Sequence, residues 1–300
     1  MTIDLGETTD LAGIRDRAQQ DGAVRAHVID ARDEFVREMV QLSHAVARDR
    51  LYRTYWYNSG LNESMVRALR DVADEAMARV SLERGDRVLD IGANDGSLLR
   101  SYSTPDIVRV GIDPTIAKFR EFYDDSCIPV ADFFSARAFD SVSTARARIV
   151  TSIAMFYDLE DPVAFARDIR AVLADDGLWH FEQSYMPWML RSGAYDTICH
   201  EHLEYYSLTT IKRILDEAGF VIVDVATNAV NGGSISVTAA KDDGSWTTQS
   251  ILPAWLLEQE RRNGVHDIQT WEAFAETIRT LQTDLLELLR SLRASGQTVM

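Results

Sequence analysis

Apolar residues recur at helical spacing over 24–46 (Val28, Phe35, Met39, Leu42, Val46), so the first fifty residues read as helical. Aromatics crowd next at Tyr52, Tyr55, Trp56 and Tyr57, and "NSGLNESM" then supplies a helix start. Asn62 or Ser64 there can cap a helix running through Met65, Leu69, Val72 and Ala76. From Arg87 the texture changes. Short, turn-bounded apolar runs at 88–91, 108–112, 149–153 and 178–181 have the character of buried parallel strands. Helical stretches fall between them, including 116–122 and 163–173. A later helix over 209–218 leads to Gly219, and "FVIVDVATNAVNGGSISVTAA" reads as an antiparallel strand pair. Beyond Asp242 the chain turns helical again, with Trp271, Phe274, Ile278, Leu281, Leu285, Leu288 and Leu292 along one long amphipathic helix. This order predicts an α/β fold: an open, mostly parallel sheet with an antiparallel edge over 81–242. A helical N-terminal cap (1–80) precedes it and a C-terminal helical extension (243–300) follows.

Composition narrows the partners. The chain of 300 residues, 46% hydrophobic, is long enough for a sizeable core. Its formal charge of −16 and pI near 4.8 come without any Lys/Arg cluster, which argues against nucleic acid and anionic membrane surfaces. Cys127 and Cys199 are too few for a zinc knuckle or a disulfide framework. The N-terminus is polar, and no apolar run approaches the roughly 18 residues of a membrane span. A reduced, soluble, cytoplasmic protein is expected.

The first strand ends "RVLDIGANDGSLL". A Gly-rich turn between strand and helix lets a ligand approach the backbone and presents free N–H groups. The turn reads Gly92-x-Asn94-x-Gly96, not the G-x-G-x-x-G of hydride-transfer enzymes. Asp90 stands just before it, where an acid meets a cationic group. Asp113, in "VGIDP", ends the second strand 23 residues after Asp90, where an acid suits both hydroxyls of a ribose. The segment resembles motif I of class I S-adenosylmethionine methyltransferases, which implies their Rossmann-like fold and S-adenosyl-L-methionine as cofactor. In that fold, "ADFF" with Asp132 and Phe133 falls where adenine is contacted. "TSIAMFYDLEDP", with Ser152, falls where the methyl-transfer cleft is lined.

With those residues placed, the chain resembles the C-methyltransferases of deoxysugar biosynthesis. "SGLNESM", "GANDGSLL", "YDTICHEHLEYYSL" and "NAVNGGSISV" follow in that family's order, as does the tail "EQERRNGVHDIQTWEAFAETIRTLQTDLLELLRSLRASGQ"; the likeness runs from Tyr52 to Gln297. Three departures concern the acceptor. The family's four-cysteine zinc module has no counterpart here, and the chain stops where a second Rossmann-like domain would begin. The family's tyrosine three residues before the second histidine of "HEH" is Cys199. The acceptor expected is therefore a small natural-product intermediate without a nucleotide handle. C3-methylation of a tryptophan-derived indole, as in pyrroloindoline alkaloid pathways of the physostigmine type, fits the aromatic-rich cap. A nucleotide-linked keto-deoxysugar, O- or N-methylation, and a non-catalytic cofactor-binding module are the alternatives. The apolar stripe of the last helix suggests a homodimer or packing onto its own domain.

The chain has six histidines, and "ICHEHLEYYS" gathers His200 and His202 around Glu201. A carbon nucleophile must lose a proton as it attacks, and imidazole suits that work. The resemblance implies His202 as base and Glu201 as a polar substrate contact, with Tyr57, Tyr205 and Tyr206 as phenols and aromatic walls. Asp196 is an alternative partner for His202. A metal site at His200, Glu201 and His202 lacks the i, i+4 histidine pair of zinc hydrolases and an obvious third ligand. A structural reading has His200 capping the helix that starts near Thr209, and Cys199 packing.

Overall fold

A computed structural model of the chain describes residues 40–41, 48–53, 55–199 and 202–297. Most of the helix expected over 24–46 lies outside them. At its end the backbone is extended instead: β1 (Val40–Gln41) pairs antiparallel with β7 (Glu204–Tyr205). A periodicity argument sees only neighbours in sequence, whereas this strand is made by hydrogen bonds to a distant one.

After α1 (Arg48–Tyr52), Asn62 caps α2 (Glu63–Arg79), its side-chain oxygen accepting from Ser64 N at 3.0 Å. The buried stripe of α2 is Leu69, Val72, Ala73 and Ala76. β2 (Arg87–Ile91), α3 (Ser97–Ser101), β3 (Val108–Ile112), α4 (Ile116–Phe119), β4 (Cys127–Val130), α5 (Ala136–Asp140), β5 (Ala147–Ile153) and α6 (Pro162–Val172) alternate as expected. β6 (Leu173–Ser184) is far longer than the run at 178–181, because it continues through polar Glu182, Gln183 and Ser184 paired to a neighbour. α7 (Met186–Ser192), α8 (Leu208–Glu217), β8 (Phe220–Asn228) and β9 (Ser234–Lys241) complete the domain.

The seven-stranded sheet has the order β4-β3-β2-β5-β6-β9-β8. Contacts from β4 to β6 are parallel, and β9 alone runs antiparallel to both its neighbours. The antiparallel pair is thus at the edge as expected, with the reversed strand one place in. This is the Rossmann-like, doubly wound arrangement. One face carries α5, α6 and α8 over Phe156, Trp179 and Phe181; the other carries α2 and α3 over Val88, Ile149 and Leu178.

Two further helices follow, α9 (Leu252–Arg262) and α10 (Ile268–Ala294). The first half of α10 packs Trp271 and Phe274 against Met186, Met189, Leu203 and Tyr205. Its second half leaves Leu281, Leu285 and Leu288 43–55% exposed. Among the described residues, no helix is long and apolar enough to cross a membrane.

Glu204, on β7, is buried, and its Oε2 has no hydrogen-bond partner among the described residues. Burial pushes its pKa up to about 8 from 4.5. An acid held neutral by the fold contributes stability that is complete below about pH 4.5 and lost as pH rises through about 8. Glu204→Gln should abolish that loss, raising stability on the order of a few kcal/mol above pH 8 and little at pH 5. Thermal melts across that range check it, and parallel curves for both proteins would refute it.

Candidate active site

The strand order reverses between β2 and β5, so their carboxyl ends splay around a crevice. A cavity of about 500 Å³ opens there, well within the range of small-molecule sites.

One wall comes from the turn after β2. Gly92 has φ +75°, a left-handed conformation that suits glycine, and a Cβ there would come 3.2 Å from Met155 Cγ. Asp90 lines the cavity just before it, only 4% exposed, accepting from Thr151 Oγ1 at 2.7 Å. Burial pushes its pKa up to about 7; the Thr151 bond opposes this, and Asp113 and Asp95 add to it. Such a carboxylate calls for a cation. Asp113 accepts from Asn94 N (3.0 Å) and Thr115 N (2.6 Å), one on each oxygen. Each oxygen keeps a second lone pair for a ligand hydroxyl. Its pKa is raised by burial, partly offset by those Thr115 and Asn94 bonds.

Asn94 and Asp95 also hold the preceding segment over the cavity. Asn94 Nδ2 donates to Tyr57 O and its Oδ1 accepts from Ser59 N, both at 3.1 Å; Asp95 Oδ2 accepts from Gly60 N at 3.1 Å. A Cβ at Gly60 would collide with that carboxylate. Tyr57 reaches the cavity through this clamp, joined by Tyr52 and Tyr55. The Arg48 guanidinium lies 4.3 Å from the centre of the Phe133 ring, another lining residue.

His202 lines the same cavity. Its Nδ1 lies 2.8 Å from the Thr197 carbonyl oxygen, which only accepts. Nδ1 is therefore the protonated nitrogen, and in the neutral ring the lone pair sits on Nε2. Tyr157 packs against the imidazole with ring centroids 4.2 Å apart, and Tyr205 Oη donates to the same carbonyl at 3.4 Å. Asp158, Asp196 and Thr197 line this end too.

The structure thus gathers Asp90, Gly92, Asn94, Asp113, Phe133, Tyr57, Asp196 and His202 around one cavity. Four expected site residues do not line it. Gly96 is the N-cap of α3, where a Cβ would come 3.1 Å from the Tyr123 ring. Ser152 is wholly buried in the sheet, accepting from Trp179 Nε1 at 3.0 Å. Asp132 is exposed, its Oδ1 accepting from Phe133 N at 2.9 Å. Tyr206 is 1% exposed and packs on Phe156, because alternation on β7 and the turn after it sends it to the core. Tyr205 is buried as well and reaches the site only through Thr197. His200 and Glu201 lie outside the described residues. The helix start expected near Thr209 is capped by Ser207, whose Oγ accepts from Thr210 N at 3.1 Å. Among the described residues no group of three or more His, Cys, Asp or Glu could hold a metal.

Sequence reasoning passed over Arg48, Asp95, Tyr157, Asp158, Thr197 and Asn231. Tyr157 and Asp158 lie inside the segment expected to line the cleft, and Asn231 inside one singled out for its family likeness, but nothing in a segment says which side chain faces a cavity. Thr197 acts through its carbonyl, for which side-chain identity carries no signal.

A family model described as "Methyltransferase domain" matches residues 61–225, and one described as "C-methyltransferase C-terminal domain" matches residues 229–300. The C-methyltransferase NovU of Streptomyces niveus is 29% identical over 263 residues, covering 87% of this chain. The chain spans 62% of the length of that relative. Among solved structures, the plantazolicin methyltransferase BpumL with a triazolic desmethylPZN analog and SAH is 12% identical, with TM-score 0.48 over 61% of this chain and 88% of that one. The putative methyltransferase complexed with the Haloferax volcanii Trm112 activator is 18% identical, with TM-score 0.47 over 60% and 95%.

Proposed function

Because the chain belongs to the methyltransferase-domain family, we propose that it is an S-adenosyl-L-methionine-dependent C-methyltransferase of a small natural-product intermediate. When bound, the cofactor supplies an electrophilic methyl group on a cationic sulfonium. The residues present fit it. Gly92 leaves room beside the backbone, Asp90 offers a buried carboxylate to its positive charge, and Asp113 offers lone pairs to its ribose. Phe133 offers a ring face to its adenine.

The observation that carries the reading is His202, whose Thr197-bonded Nδ1 leaves the lone pair on Nε2, in the same cavity as those donor groups. Nε2 takes the proton that the acceptor gives up as its carbon attacks, from an α-carbon or an indole N–H. Tyr57 and Asp196 orient the acceptor through hydrogen bonds, and Glu201 supplies a further polar contact. The aromatic walls from Tyr52, Tyr55 and Tyr157 favour a flat ring, and C3-methylation of a tryptophan-derived indole is the acceptor proposed. C-methylation of a nucleotide-linked keto-deoxysugar is the second reading, favoured by the resemblance of the segments over 195–208 and 228–237 to deoxysugar C-methyltransferases. The division into a cap (1–80), a donor-binding domain (81–242) and an extension (243–300), a cytoplasmic location, and pairing of two copies through α10 belong to the same proposal. The test is mass spectrometry of candidate acceptors with S-adenosyl-L-methionine. Products heavier by one methyl, with S-adenosylhomocysteine released and the new methyl on carbon by NMR, support it; cofactor binding without turnover indicates a binding module.

Two expectations follow for the donor side. Asp113→Ala should weaken cofactor binding by roughly 2–3 kcal/mol, since bonds to two hydroxyls go and the turn loses its two backbone anchors. Calorimetry with unchanged affinity would remove Asp113 from the site. EDTA should leave turnover intact, with no stoichiometric zinc by elemental analysis; activity lost with a bound zinc would assign "HEH" to a metal.

A further inference from the structure

A recess of about 20 Å³ lies between α2 and the sheet, with Ala68 and Val72 of α2 and Glu182 of β6 in its lining. Met65, Leu69, Ile153, Ala154 and Asn231 line both this recess and the main cavity, so the two adjoin. There is room in it for about one water-sized group. Strand alternation puts Glu182 on the same face of β6 as Ser184, which lines the main cavity.

Glu182 is 7% exposed, and its Oε2 accepts from Asn228 Nδ2 at 2.7 Å. Asn228 Oδ1 accepts from Val230 N at 2.9 Å, which settles which end of the amide donates to Glu182. Ser234 Oγ donates to Val230 O at 2.9 Å and holds the same loop, from which Asn231 reaches the junction of the two spaces. Among the described residues no second hydrogen bond reaches the Glu182 carboxyl group. Burial raises its pKa; the Asn228 bond opposes this, and Glu75 adds to it. A carboxyl group so far removed from water, with one oxygen unpaired, gains from any donor brought to it.

Building on the function proposed above, we infer that the recess is an acceptor subsite: the free oxygen of Glu182 takes one small hydrogen-bond donor of the acceptor, a hydroxyl or N–H outside the ring position that reacts. Asn228 positions the carboxyl group, and the α2 side chains limit the size of what enters. A substituent of equal size without a donor leaves Glu182 unpaired and loses affinity. Anchored there as well as at His202, the acceptor has one ring carbon facing the methyl group.

The experiment uses the full chain saturated with S-adenosylhomocysteine and two neutral probes of one ring and nearly one size, tryptophol and 3-propylindole. Calorimetry should give tryptophol the higher affinity by about tenfold or more. Glu182→Met removes the accepting oxygen and should erase that difference. Ala68→Met should fill the recess from α2 and erase it too, without touching the carboxyl group. S-adenosylhomocysteine affinity and melting temperature are the folding controls for both variants. Equal affinities in the wild type, the result if the recess only houses a water, would overturn the inference. So would binding of neither probe, or a difference that survives in either variant. The expected preference in a protein that methylates no acceptor would leave the subsite standing and sink the catalytic reading. Methyl transfer at wild-type kcat/KM in both variants would do the reverse.

Discussion

His202→Ala is expected to lower turnover by about 10²–10⁴-fold while leaving S-adenosyl-L-methionine affinity nearly unchanged. Thr197 and Tyr157 hold the imidazole, whereas Thr151, Asn94 and Thr115 hold Asp90 and Asp113, so its loss removes proton acceptance and spares the donor groups. Wild-type kcat should also fall on acidification, because a protonated imidazole accepts no proton. The Thr197 bond makes the prediction sharper than mere proximity would, since it assigns the tautomer. His202→Asn should not rescue, as an amide accepts protons far too weakly. Stopped assays under saturating cofactor, with calorimetry beside them, separate the two effects. If donor affinity and melting temperature fell together with turnover, the segment would be a structural turn, and the base would be sought at Asp196 or Tyr57.

Glu260→Ala should destabilise the fold on the order of 3–5 kcal/mol. Glu260 is 1% exposed on α9, yet its carboxylate accepts four hydrogen bonds. Tyr185 Oη (2.6 Å) and Leu208 N (2.6 Å) reach Oε1, while Thr209 N (2.9 Å) and Thr209 Oγ1 (2.6 Å) reach Oε2. Two of these are free N–H groups at the start of α8, where a negative charge also meets the positive end of the helix. Alanine would leave Tyr185 Oη and Leu208 N buried without this acceptor and would untie the C-terminal extension from the sheet domain. Glu260→Gln keeps one acceptor oxygen and should cost clearly less. Urea unfolding measures both. An alanine variant within about 1 kcal/mol of wild type would show that packing alone holds α9 in place.

The two predictions rest on different kinds of information. His202 was legible as a candidate base because "HEH" lies in a segment resembling a known family, and Asp90, Gly92, Asn94 and Asp113 because strand, turn and acid spacing is a local pattern. The alternation of apolar runs and helical stretches likewise predicts the parallel sheet, since burial on both faces requires apolar residues that a reader can count. Glu260 had no such signal: in "LLEQERRN" it reads as one more charge on an exposed helix, and only the packing of α9 against the start of α8 reveals it as a buried cap. Tyr206 errs the opposite way. A tyrosine beside the candidate base looks functional in sequence, and the two-residue strand Glu204–Tyr205 turns it into the core. Ser152 and Asp132 flank strands that do end at the crevice, but one faces the sheet interior and the other solvent.

Local pattern therefore determined the main strands and helices of the sheet domain, where the Gly-rich turn lies and which acids follow it. Backbone propensity and hydrophobic period act over a few residues, and their traces sit side by side in the chain. Tertiary structure alone decided which side chains share the cavity. It brought Tyr57 there through Asn94, set the tautomer of His202 through a carbonyl five residues away, and buried Glu204 and Glu260. Each of those depends on contacts between segments far apart in sequence or on backbone atoms common to all residues, and neither leaves a mark in residue identity.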